Sequence, residues 1–152
     1  MADLTAASQV FFDCSASRVS EVLRLVAQKA TELGLATDEE ALLEALKDRE
    51  AQGTTGLAGG FAIPHAKSDA VVRPALLVLR FRDPIEWPSM DGVPVTCAIA
   101  LLVPASGGNS LHLRLLSKLA VMLMDEGMRA RIAAEDDPEA IAAIVNEGMA
   151  GA

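Results

Sequence analysis

Ala75-Leu76-Leu77-Val78-Leu79-Arg80-Phe81 is a nearly continuous apolar run, with Pro74 before it and Asp83-Pro84 after it. A strand with one wet face alternates apolar and polar residues. An unbroken short run suits a strand covered on both faces. Val95-Thr96-Cys97-Ala98-Ile99-Ala100-Leu101-Leu102-Val103, closed by Pro104, is a second run of the same kind. Between them Ile85-Glu86-Trp87 reads as a short edge piece and Asp91-Gly92 as a turn. Two strands of this type need helices on both sides.

The helices are legible around them. Gln9 to Phe12 reads as a further short strand, with Ser15 or Ser17 placed to cap the first helix. Val19, Val22, Leu23, Val26 and Ala30 fall at helical spacing, and Gly34 ends that helix. Thr37 with Glu40 three places on is a capping-box pattern for a second helix running to about Ala51, with Leu42, Ala45 and Leu46 inward. After a polar loop from Ala105 to Ser110, Asn109 or Ser110 can cap a helix that buries Leu111, Leu115, Leu116, Leu119, Ala120 and Leu123. Gly127 is expected to break it, with a short helix from Met128 to Ala134. Asp136-Asp137-Pro138 opens the last one, which buries Ile141, Ile144 and Val145 before a tail that frays from Gly148. Strands interleaved with helices make this an α/β chain with a sheet covered on both faces. No repeat or long linker divides it, so residues 1–152 are expected to form one domain with a core from about 9 to 147.

Composition sets limits. Of the 152 residues, 51% are apolar and 22% charged, as in a compact globular protein. A net charge of -8 argues against nonspecific nucleic-acid binding. There is no apolar run long enough to span a membrane and no basic-then-apolar start resembling a secretory signal, so direct membrane insertion is not expected. Cys14 and Cys97 are two isolated thiols, expected to be buried in a reducing, cytoplasmic compartment.

The chemistry concentrates in Thr54-Thr55-Gly56-Leu57-Ala58-Gly59-Gly60-Phe61-Ala62-Ile63-Pro64-His65-Ala66-Lys67-Ser68-Asp69. Pro64 fixes its own torsion and extends Ile63, so His65 stands at the stiff end of an extended run, in a loop, open to the surface. Neutral imidazole is a nucleophile near pH 7 and forms a labile phosphoramidate, which suits a relay. Such transfer depends on positioning and on charge stabilisation. Arg49, in the last turn of its helix, can serve the helix dipole or reach an anion near His65. The amides at the start of the Ser110 helix are anion donors, and His112 lies in its first turn. Thr54 and Thr55 add hydroxyls. Other uses fit less well. His65 and His112 without an acidic ligand make a poor zinc site, and no nucleophile elbow accompanies His65. Asp69 can orient the imidazole or cap a turn. Lys67 and Ser68 read as solvated. The glycines lack dinucleotide-binding spacing. Neither cofactor nor metal is expected.

Arg49-Glu50-Ala51-Gln52-Gly53-Thr54-Thr55-Gly56, Gly60 to Asp69, Met90-Asp91-Gly92-Val93-Pro94-Val95 and His112 to Ala120 resemble the IIA domain of the bacterial phosphoenolpyruvate-dependent sugar phosphotransferase system, fructose/mannitol class. The resemblance runs from about Val10 to Ile144. It implies a mixed β-sheet flanked by helices and a phosphocarrier role. His65 matches the phosphorylated histidine, His112 the second active-site histidine and Arg49 the active-site arginine. Thr55 and Ser110 are candidate phosphoryl-binding groups. The implied donor is phospho-HPr and the implied acceptor a IIB component on a separate chain, with the membrane component IIC engaged indirectly. Ala66 and Leu111 depart from the glycine and acidic residue frequent in the family. One branch of the family feeds sugar uptake. The other, nitrogen-regulatory, acts by binding regulatory targets. The run Ala66 to Asp69 looks more like the sugar branch.

Overall fold

The computed structural model describes residues 3–150, apart from the side chains of 107–109. The two apolar runs are its central strands, β4 (Ala75–Ile85) and β5 (Val95–Pro104), which pair antiparallel with Val78 opposite Ile99. β1 (Val10–Cys14) lies parallel to β4. On the far side of β5, two short strands lie parallel to it and end to end: β2 (Phe61–Ala62) and β3 (His65–Ser68). The sheet is therefore mixed, in the order β1-β4-β5-β2 with β3 also on β5.

Strand alternation explains why the central runs are apolar throughout. Leu77, Leu79, Ala98, Ala100 and Leu102 face a layer made by α1 (Val19–Glu32) and α2 (Glu39–Ala51). Leu76, Val78, Ile99, Leu101 and Val103 face the opposite layer, made by α3 (Gly108–Met124), α4 (Glu126–Ala134) and α5 (Pro138–Met149). All ten are fully buried. Each buried Leu or Ile side chain contributes on the order of 1.5–3 kcal/mol of transfer free energy.

Several local expectations are corrected. Gln9 belongs to a 3₁₀ turn, Ala7–Gln9, and its side-chain amide donates to the carbonyls of Leu4 and Leu76, so the strand starts at Val10. Neither Ser15 nor Ser17 caps α1: the N-cap is Arg18, and Ser17 instead donates its amide and hydroxyl to Glu21. α2 is capped by Asp38, which accepts from the Ala41 amide at 3.0 Å. Thr37 is drawn off to the Ala70 carbonyl, and Glu40 to Arg24. β4 runs through Pro84 to Ile85, because beyond Phe81 its β1 neighbour has ended and a missing amide goes unnoticed on that side. α3 starts at Gly108, so Asn109 and Ser110 lie inside it and His112 is its fifth residue. The break after α3 falls at Asp125, whose carboxylate caps α4 by accepting from Gly127. The chain does not fray at Gly148: Met149 is in α5 and 1% exposed. Cys14 and Cys97 are buried and unlinked, and burial pushes the Cys97 thiol up to about 12.

Candidate functional site

The edge formed by β2 and β3 is where the fold exposes its chemistry. Pro64 has no amide to give β5, although its carbonyl still accepts from Leu101 at 3.0 Å. Ile63, just before it, turns both backbone groups away from β5. Its amide donates to the Thr55 carbonyl at 3.0 Å, and its carbonyl lies 2.8 Å from His65 Nδ1. One residue later the ladder resumes, with His65 opposite Leu101.

His65 therefore opens a strand rather than sitting in a loop. The expectation of an openly exposed imidazole is corrected: His65 is 4% exposed. Ala66 packs into the α1/α2 layer, so His65 and Lys67 alternate to the other side of the strand. The ring is sunk but not sealed. It lines an open hollow of about 380 Å³ together with Ala45, Asp48, Arg49 and Gln52 of α2, Ala66 and Lys67 of β3, and His112 of α3.

The protonation state is set by the partners. A carbonyl only accepts, so Nδ1 carries the proton toward Ile63. The Arg49 Nε–H only donates, and it reaches His65 Nε2 at 3.0 Å. Nε2 therefore holds a lone pair. Burial lowers the His65 pKa below its ordinary 6.5; the Ile63 bond opposes this, and the charge of Arg49 and the neighbouring His112 reinforce it. The imidazole is neutral at pH 7, as a nucleophile must be.

Arg49 is fixed from a second direction, because its Nη1 donates to the Gly53 carbonyl at 2.8 Å. His112 stands with its ring centre 5.5 Å from that of His65 and its plane tilted by 49°. Its Nδ1 is buried without a hydrogen-bond partner. Burial first, then the charges of Lys67 and Arg49, lower the His112 pKa as well. The hollow thus gathers two neutral imidazoles and the cations Arg49 and Lys67, with one carboxylate, Asp48, on its wall.

Arg49, His65 and His112 come together from three elements. Thr55 and Ser110 are not brought to the hollow. Thr55 is buried, with its hydroxyl donated to Glu50 at 2.6 Å and its amide to the same carboxylate at 2.9 Å. Ser110 is an exposed residue of α3. Asp69 does not orient His65, since the Ile63 carbonyl holds Nδ1. Sequence reasoning missed Lys67 as a wall of the hollow. Its two-residue spacing from His65 was the available signal, given a strand there. Among the described residues no cluster of three or more His, Cys, Asp or Glu side chains is placed to hold a metal. No helix among them is long and apolar enough to cross a membrane.

The chain is similar to known proteins over most of its length. It is 36% identical over 118 residues to the fructose-specific EIIA component of Haloferax volcanii, covering 78% of this chain and 76% of that one. It is 34% identical over 143 residues to a nitrogen regulatory protein of Bradyrhizobium diazoefficiens, covering 94% and 92%. Against the fructose-specific EIIABC component of Bacillus subtilis it is 36% identical over 114 residues, 75% of this chain but only 18% of that longer protein. The fold matches the nitrogen regulatory protein IIA-Ntr from Neisseria meningitidis with a TM-score of 0.82, 28% identity and coverage of 93% and 96%. It also matches, at 0.74 and 20% identity, the Escherichia coli mannitol IIA solved in complex with phosphorylated mannitol IIB, covering 97% and 98%. A family model described as phosphoenolpyruvate-dependent sugar phosphotransferase system, EIIA 2, matches residues 3–148. With that span matched and the mixed, doubly covered sheet in place, this chain belongs to the EIIA type-2 family of the sugar phosphotransferase system.

Proposed function

We propose that the chain, acting as one domain in the cytoplasm, is a phosphocarrier that takes a phosphoryl group from phospho-HPr on His65 Nε2 and passes it to a IIB component. The observation that supports this most directly is the tautomer. Nδ1 is committed to the Ile63 carbonyl, and the Nε2 lone pair faces Arg49 at the hollow. In acceptance, the Nε2 lone pair forms the bond to phosphorus as the bond to the donor breaks, and the donor leaves with that electron pair. The Nδ1 proton stays on the ring, hydrogen-bonded to the Ile63 carbonyl, which offsets the positive charge building on the imidazole. Arg49 moves its N–H groups from Nε2 to the phosphoryl oxygens, and His112 supports the same group from across the hollow. Transfer to IIB is the same step reversed. Relatives named fructose-specific EIIA favour a sugar of that kind at the membrane component.

A second reading has a specific observation behind it. The nitrogen regulatory relative is matched over 92% of its own length, more than the 76% of the fructose relative. On this reading His65 is phosphorylated in the same way, and the phosphorylation state governs binding to regulatory targets.

Incubation with phosphoenolpyruvate, enzyme I and HPr tests the shared core. Label on the wild type and none on His65→Ala is the expected result; undiminished label on the variant overturns it. Capture of a IIB component from the same cells supports transport. Capture of a kinase, channel or transcription factor supports regulation.

A further inference from the structure

Glu50 is the neighbour of Arg49 near the end of α2, and consecutive helical residues point about 100° apart. Arg49 consequently reaches His65 while Glu50 turns to the loop that leads back toward the sheet. The Glu50 carboxylate is half-buried and collects three donors: the Thr55 amide at 2.9 Å, the Thr55 hydroxyl at 2.6 Å and the Trp87 indole at 3.2 Å. Charge-assisted bonds of this kind are the stronger ones. Their target matters, because the Thr55 carbonyl is what accepts the Ile63 amide, and the Ile63 carbonyl is what holds His65 Nδ1.

We propose that Glu50 is a positioning residue for His65. Its carboxylate latches Thr55, Thr55 latches Ile63, and Ile63, acting with Arg49 on the opposite ring nitrogen, selects the tautomer that leaves the Nε2 lone pair facing the hollow. The inference deepens the phosphocarrier reading and rests on it for its consequence, but the tautomer itself is observable without any phosphoryl donor. Ala62 and Pro64 on either side are tied to β5, but the polar groups of Ile63 itself are held by Thr55 and His65 rather than by that ladder. With Thr55 unlatched, the Ile63 amide loses its anchor, the torsions on either side of the Ile63 Cα relax, and the carbonyl beyond them shifts away from Nδ1.

Three variants separate this role from simple support of the fold. Glu50→Gln keeps the shape and an acceptor oxygen, and its amide can donate to the Thr55 hydroxyl in return. Glu50→Ala removes the latch. Thr55→Val removes only the hydroxyl arm. Long-range proton–nitrogen NMR of His65 reads the tautomer and its titration, and the rate of label uptake from phospho-HPr reads the consequence. In Glu50→Ala the two ring-nitrogen shifts should converge as the Nδ1–H form loses population, and uptake should fall ten- to a hundred-fold, as expected for a misplaced reacting group. Thr55→Val should show the same change in smaller degree, and Glu50→Gln should restore the wild-type tautomer and most of the rate. Glu50→Ala or Thr55→Val with lowered melting temperature but wild-type nitrogen shifts overturns the proposal. Should Glu50→Ala not fold, Thr55→Val decides it by the same shifts. An unlabelled wild type whose tautomer still responds to these variants defeats the phosphocarrier reading alone. A labelled wild type with unresponsive variants defeats this inference alone.

Discussion

The Arg49 Nε–H donates to His65 Nε2 across 3.0 Å, so the guanidinium occupies the position from which the imidazole must attack. With Nδ1 bound to Ile63, both ring nitrogens are engaged at rest. On the proposed phosphocarrier reading, Arg49 is a cap before transfer and a clamp during it. Arg49→Ala should move two rates in opposite directions. Modification of His65 by a small acylating reagent such as diethyl pyrocarbonate should accelerate several-fold. Phosphoryl acceptance should slow by about a hundredfold or more, the scale of losing one charge-stabilising donor. Equal slowing of both rates would mean that Arg49 only supports the fold.

The two histidines carry a pH dependence whose sign is fixed. Both have pKa values lowered from the ordinary 6.5, His65 chiefly by burial and His112 by burial and nearby cations. As pH falls below about 6.5 the unfolded chain takes up protons that the folded chain refuses, so stability declines until the lower folded values are reached. Above that window their contribution is flat. Urea midpoints should therefore drop between pH 7.5 and 5.5, and the drop should shrink in His65→Gln/His112→Gln. An unchanged pH slope in the double variant would place the acid sensitivity elsewhere. Label uptake should begin to fall at a lower pH than an ordinary imidazole would impose, since burial lowers the His65 pKa from 6.5.

What was legible in the sequence was legible for physical reasons. Doubly buried strands cannot hide, since β4 and β5 have almost nowhere to put a polar side chain. Pro138 and Asp137 mark a helix start whatever the tertiary context. Strand β3 was not legible because His65-Ala66-Lys67-Ser68 has no apolar pattern. It is a strand only because β5 offers an edge beyond Pro64. Thr37 lost its role as a cap to Asp38 because Ala70, distant in sequence, competes for its hydroxyl. The convergence of Arg49, His65 and His112 was readable through the family motif. The assignment of Thr55 and Ser110 beside them was not supported by where the fold puts them, because nothing local reveals that Glu50 takes the Thr55 hydroxyl.

Leu77 lies at the centre of the sheet, fully buried, and faces the α1/α2 layer. Leu77→Ala leaves a cavity that the flanking strands cannot collapse and should cost about 2–5 kcal/mol in denaturant unfolding. Label uptake per folded molecule should not change, since the site is assembled at the far edge of β5. A loss of uptake in fully folded protein would show that the core and the hollow are coupled.

His112 presents an opposite balance. Its ring is half-buried, its Nδ1 has no partner, and its centre is 5.5 Å from that of His65. An unpartnered buried nitrogen is a cost to the folded state, and a fold does not gain by keeping one. Removing it should be tolerated, with a stability change within about 2 kcal/mol either way. The same position faces the hollow where a dianionic group would sit, so uptake from phospho-HPr should fall about a hundredfold. His112→Gln, whose amide can still donate, should recover part of that loss, whereas His112→Leu should not. If His112→Ala instead unfolds the chain, the ring is a packing element, and support of the transferred group must come from Arg49 and Lys67.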